Sequence, residues 1–275
     1  MGNKNCVFWK KHQEEGMEKI GVVFVHGFTG GEKTWVNDSG QKFSDLLKQD
    51  QNINSHFDFF EFSYYTKLVD VFDSALIQRL LGLLPFHKYL GIKGKVKTNK
   101  PIRQLRDLLS TYLRVNLSEY DEVVIIAHSM GGLIAKDFIL NHLKGDRPAP
   151  LGFVSVAVPH KGSLGALLLA PIKNLNAQEM APLAEYPDVL NSEWIDKKDS
   201  LPKSIYLIAS YDECVPEESS IPFKIKSSEK FTVPHDHISI CKPIDSNDLT
   251  YKSVRDFLQN IAYQKINARF NVKFI

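Results

Sequence analysis

The chain has 275 residues, 43% of them hydrophobic and 24% charged, which suits one α/β domain spanning 1–275 with a large core. Its 34 basic and 32 acidic residues leave a net charge of +2, too balanced for a nucleic-acid-binding surface over the whole molecule. Three cysteines, Cys6, Cys214 and Cys241, are too few and too scattered for a disulfide framework or a metal cluster, and they suit a reducing compartment.

The first sixteen residues, MGNKNCVFWKKHQEEG, contain no apolar run of signal-peptide length, and no stretch reaches the roughly 18 apolar residues of a spanning helix. A cytoplasmic protein is expected. Ile20–Val25 reads as a buried strand. It ends in His26-Gly27-Phe28-Thr29-Gly30-Gly31, a glycine-rich turn able to aim backbone N–H groups into a cleft; the Gly-Lys-Ser/Thr ending of a phosphate loop is missing. A short amphipathic helix is expected around Phe43, Leu46 and Leu47. The alternation of FDFFEFSY, Phe57 to Tyr64, predicts the next strand.

Residues 68–97 break the strand-helix rhythm. They hold Val71, Phe72, Leu76, Ile77, Leu80, Leu81, Leu83, Leu84, Phe86 and Leu90, and from Ser74 to Arg106 there is no acidic residue against Arg79, Lys88, Lys93, Lys95, Lys97, Lys100, Arg103 and Arg106. An apolar, cationic insertion of this kind predicts a helical cap that meets anionic lipid, so peripheral membrane contact is expected; a helical excursion with a solvated basic loop is the competing reading.

Pro101 opens a further helix with Leu105, Leu108, Leu109, Tyr112 and Leu113 on its apolar face. Then comes DEVVIIAHSMGGLIAKDFIL, Asp121 to Leu140. Val123 to Ile126 is a β-branched run that reads as a buried strand, and Leu133, Ile134 and Phe138 recur at helical spacing. Ser129 sits on the corner, with Ala127 and Gly131 two residues to either side. Small neighbours let the chain turn sharply and lift the hydroxyl clear of the sheet, and the helix N-terminus that follows points its dipole and free N–H groups at the same place.

Further strands are expected at Gly152–Val158, ahead of Pro159-His160-Lys161-Gly162-Ser163, and at Ile205–Ala209, ahead of Ser210-Tyr211-Asp212-Glu213. A weaker strand falls at Phe223–Ser227 or Lys230–Val233, before Pro234-His235-Asp236-His237, and a closing helix at Leu249–Ile261. This alternation predicts a mostly parallel sheet with helices on both faces, whose functional groups gather at the strand C-terminal ends.

The polar groups at those ends run in the order Ser, Asp, His. A serine hydroxyl is a poor nucleophile until a histidine takes its proton, and that histidine needs a carboxylate to fix its tautomer and stabilise its charged form. Backbone N–H groups of Phe28 and Met130 are placed to meet the oxyanion. Four motifs then support a resemblance: HGFTGG at 26–31 with Lys33-Thr34-Trp35 beyond it, AHSMGG at 127–132, VPHKGS at 158–163 and DHISICKP at 236–243. The chain resembles an α/β-hydrolase of the lipase-like serine esterase group, near the serine-active-site-containing protein family and the GPI inositol-deacylases.

The resemblance implies the α/β-hydrolase fold and cofactor-free hydrolysis of an ester or thioester, usually of an acyl lipid. It makes Ser129 the nucleophile, His237 the base and Asp212 the acid, with Glu213 and Asp236 as alternative acids. His26, Gly27, His128, His160 and Ser163 are expected to line the substrate. Ala127 departs from the glycine common at its position. Acyl transfer on the same triad stays open because water exclusion decides it, and a silent binding module on this fold is the reading from another class.

Overall fold

The computed structural model describes residues 19–28, 30–64, 102–161, 177–222 and 225–272, with the backbone alone for 177–185 and 269–272. The segment 68–97, where a cap is expected, lies outside the described residues, as do Pro101 and Ser163.

Six strands form one sheet: β1 (Ile20–Val25), β2 (Phe57–Phe62), β3 (Glu122–His128), β4 (Ala149–Val156), β5 (Lys203–Ala209) and β6 (Lys230–Val233), in the order β2-β1-β3-β4-β5-β6. All five ladders are parallel. Both faces of a central parallel strand are covered, so β1 reads IGVVFV and is buried at every position. The strand order reverses beside β1, and β1 and β3 pair with Val25 opposite Ala127, which brings the turn after β1 alongside the turn after β3. Open parallel sheets build their sites at such a reversal.

Helices divide between the two faces. Under one lie α1 (Phe43–Lys48), α2 (Gln51–His56) and the long closing helix α6 (Leu249–Val272), whose Phe43, Leu46, Leu47, Ile53, Val254, Leu258 and Ile261 pack on Phe24, Val124, Val154 and Leu207. Over the other lie α3 (Ile102–Asn116), α4 (Met130–Asn141) and α5 (Ala177–Asp196), packing on Val23, Ile125 and Phe153. In α3 the buried stripe is Ile102, Leu105, Leu109 and Leu113; Leu108, expected on that stripe, is 44% exposed.

Strands β1 and β3 coincide closely with the expected runs, and Lys230–Val233 is a strand; the alternative at Phe223–Ser227 begins outside the described residues. The strand expected at Gly152–Val158 instead ends at Val156, because Ala157 turns out of the sheet at φ 47°. Two helices depart from the expected pattern. α2 is a polar QNINSH segment started by Asp50, whose carboxylate accepts the Asn52 and Ile53 N–H groups. α5 contains Pro182 and Pro187, residues that normally end a helical pattern.

Candidate active site

The corner between β3 and α4 is built by glycine and strain. Ser129 adopts φ 52°, ψ −127°, a conformation costly for a non-glycine residue. It persists because its N–H donates to Val156 O at 3.0 Å and its own carbonyl accepts Gly132 N–H at 2.9 Å. The close crossing needs glycines: a methyl built on Gly131 would overlap the His26 carbonyl oxygen and lie 2.6 Å from that of Val25, and one on Gly132 would run into Val158. Within AHSMGG, Gly131 and Gly132 are thus the condition for seating α4 directly on β1 and on the turn after β4.

Ser129, His237 and Asp212 come together from three separate loops. His237 Nε2 lies 3.1 Å from Ser129 Oγ, and His237 Nδ1 lies 2.8 Å from Asp212 Oδ2. Because a carboxylate can only accept, Nδ1 carries the proton and Nε2 faces the serine as an acceptor. Asp212 is itself fixed: its Oδ1 accepts the N–H groups of Cys214 and Val215, each at 2.8 Å, and its side chain is 1% exposed. The alternative acids are placed differently. Glu213 is exposed. Asp236 caps its own turn by accepting the N–H groups of Ile238 (2.8 Å) and Ser239 (2.7 Å), and those bonds hold its carboxyl below the usual range.

The turn after β1 faces this group. His26 Nδ1–H donates to Gly27 O at 2.8 Å, while His26 Nε2 accepts the Tyr64 N–H at 3.2 Å. The Tyr64 hydroxyl donates to His26 O at 2.7 Å, and its ring stacks on the imidazole at 4.2 Å. Burial lowers the His26 pKa, which keeps the ring in the neutral form this geometry requires. His26, expected to line the substrate, is 2% exposed and acts as a brace for the turn. Among the described residues, neither Phe28 N–H nor Met130 N–H has a hydrogen-bond acceptor. Met130 opens α4, where the first N–H groups have no intrahelical partner.

Two further histidines sit away from the expected lining position. His128 is 5% exposed and donates from Nε2 to His237 O at 2.8 Å. His160 is wholly buried, with Nδ1 3.1 Å from Lys136 Nζ and Nε2 2.9 Å from Ser155 Oγ. Its ring is turned into the core because Lys136, also fully buried, needs partners there. Lys136 Nζ donates to Asn191 Oδ1 at 3.2 Å and lies 5.3 Å from the centre of the Trp194 ring. Burial alone pushes this ammonium down to about 7 and carries His160 well below its ordinary value, with Lys136 and Lys161 adding to the fall. The motif reading leaves out Tyr64, which braces the turn through His26, and Lys136 and Asn191, which surround His160. The pair Lys136-Asp137 inside the otherwise apolar run Met130–Leu140 is the signal that could have pointed to such a network.

Among the described residues there is no group of three or more His, Cys, Asp or Glu arranged to hold a metal ion, and no helix is long and apolar enough to cross a membrane.

No protein-family model matches the chain, and no curated protein sequence does. Solved structures do. A lipase of Bacillus licheniformis in its mature form is 15% identical, with a TM-score of 0.53 over 87% of this chain and 92% of that one. A structure from a study of carboxylesterases of Nitrososphaera gargenis is 13% identical, with a TM-score of 0.52 over 90% and 92%. A monoacylglycerol lipase of Paleococcus ferrophilus is 12% identical, with a TM-score of 0.50 over 88% and 94%. At such identities the likeness speaks for the architecture, and that architecture is the α/β-hydrolase fold.

Proposed function

We propose that this α/β-hydrolase-fold chain is a serine hydrolase that cleaves a carboxylic ester through an acyl-enzyme. The observation that carries the reading is the continuous relay from Ser129 Oγ to His237 Nε2 at 3.1 Å and from His237 Nδ1 to Asp212 Oδ2 at 2.8 Å, set on a strained elbow.

In this reading Ser129 Oγ attacks the ester carbonyl carbon as its proton passes to His237 Nε2. The carbonyl π-electrons move onto oxygen, and the resulting oxyanion accepts the Phe28 and Met130 N–H groups. Asp212 stabilises the imidazolium without taking its proton. The tetrahedral species collapses, the alkoxide leaves with the proton from His237, and an acyl-Ser129 ester remains. A water molecule, deprotonated by His237, then attacks that ester and releases the acid, returning the proton to Ser129.

The substrate class we assign is an acyl ester of lipid type, with peripheral contact to anionic membrane through 68–97. The apolar character of that segment, and the absence of acidic residues from Ser74 onward through it, support the assignment. Turnover of p-nitrophenyl esters of rising chain length, with and without anionic vesicles, tests it. Activity is expected to fall on the order of 10³ to 10⁶ in kcat on Ser129→Ala; unchanged hydrolysis by that variant would remove the reading.

A further inference from the structure

The general base has a backbone carbonyl of its own, and His128 holds it. His237 is 7% exposed and follows a short loop after β6, so nothing in regular secondary structure fixes its peptide. Its carbonyl oxygen lies 2.8 Å from His128 Nε2, and a carbonyl can only accept, so His128 carries its proton on Nε2. The two rings lie 4.7 Å apart at 49°. On its other side His128 meets the turn after β1: a methyl built on Gly27 would fall 3.0 Å from His128 Nδ1 and 2.8 Å from Ser129 Cβ. The edge of Trp35 closes the third side, 6.4 Å between centroids at 80°.

His128 therefore touches the proposed oxyanion turn, the nucleophile's own strand end and the base loop at once. We infer that His128 is a positioning residue, a neutral spacer whose Nε2–H bond to the His237 carbonyl sets the separation between the base and the Gly27-Phe28 turn. The inference rests on the reading of Ser129, His237 and Asp212 as the catalytic relay. A spacer beside a base that becomes cationic in each cycle must itself stay uncharged. Burial, and then the neighbouring His237, push its imidazole down to about 3, so it stays neutral while His237 cycles. Misplacing a base by an ångström can cost on the order of a hundredfold in rate, which gives the bond its purpose.

The wild-type chain provides the first test. With 15N-labelled histidine and 13C-labelled carbonyls, NMR should show His128 protonated on Nε2 at every pH from 8 down to about 4, with coupling across the hydrogen bond to the His237 carbonyl. An Nδ1-protonated ring, or one that titrates near the ordinary histidine value, overturns the inference. Two variants provide the second. His128→Phe keeps the bulk and removes the donor, and should lower kcat by roughly 10- to 100-fold with KM within about twofold. It should also shift and broaden the low-field His237 Nδ1–H resonance. His128→Gln keeps a side-chain N–H and should recover most of kcat. Equal losses in both variants, or an unchanged His128→Phe, overturn it. If the wild-type chain turns over no ester, the functional reading falls by itself. The His237 resonance in wild type against His128→Phe then still decides the positioning role, an unaltered resonance counting against it.

Discussion

Replacing Lys136 by methionine should stabilise the protein at neutral pH, and the gain should shrink as pH rises. Lys136 is fully buried, and among the described residues no carboxylate lies within ion-pairing distance; the neighbouring Asp137 faces Arg106, Tyr186 and Asn141 instead. A fall from 10.5 to about 7, at about 1.4 kcal/mol per unit, corresponds to a penalty on the order of 5 kcal/mol for the ammonium in the folded state. Below about 7 both states hold the proton and the penalty is fully present. Between about 7 and 10.5 the unfolded chain binds one proton more than the folded one, so this lysine makes stability rise by about 1.4 kcal/mol per pH unit. Methionine removes the penalty and the slope while leaving Asn191 and His160 each short of a partner, at about 1 to 3 kcal/mol apiece. The net at pH 7 is a small gain. At about 1.4 kcal/mol per pH unit it reverses by about pH 8, where the wild-type lysine is largely neutral and keeps its bonds. Urea unfolding of both chains at pH 7, 8 and 9 reads this directly. A difference between wild type and variant that does not change with pH would refute the reasoning, since it would mean that Lys136 keeps an ordinary pKa through a partner outside this cluster.

Asp212→Asn should fold normally and lose roughly 10⁴ in kcat by presenting the wrong histidine tautomer, whereas Asp236→Asn should lower stability through its turn and leave kcat within a few-fold; the two chains assayed side by side on one ester distinguish them, and the reverse pattern would move the acid to Asp236. Gly131→Ala should cost more than about 3 kcal/mol or prevent folding, because the new methyl meets backbone oxygens of Val25 and His26 that cannot rotate away. Thermal unfolding decides that point, and a shift of a degree or two would contradict the close seating of α4 on β1.

Sequence pattern was informative where the physics is local. β1 and β3 are rich in Val and Ile because both faces of a central parallel strand are buried, and Ser129 is marked by the small residues its strained corner demands. The Ser, Asp, His order follows from strand ends and their loops, so these three residues were legible even though they meet only in three dimensions. What depended on long-range packing was hidden. α5 carries Pro182 and Pro187 yet stays helical, anchored by Trp194 bonding Tyr206 at 3.1 Å and by Tyr186 bonding Asp137 at 2.8 Å. His160 occupies a motif position that reads as substrate-lining, but its direction is set by Lys136, and a lysine in a helix ordinarily points to water. His128 looks like a neighbour of the nucleophile; its carbonyl partner, His237, lies more than a hundred residues further along the chain.

A Ser129 nucleophile activated by His237 should form a covalent adduct with an electrophilic probe. The chain is treated with a fluorophosphonate, its intact mass recorded, and the modified peptide sequenced. One phosphonyl group is expected on Ser129, formed quickly by wild type, slowly by His237→Ala and not at all by Ser129→Ala. An unmodified wild-type chain, or modification at another residue that persists in Ser129→Ala, would contradict it.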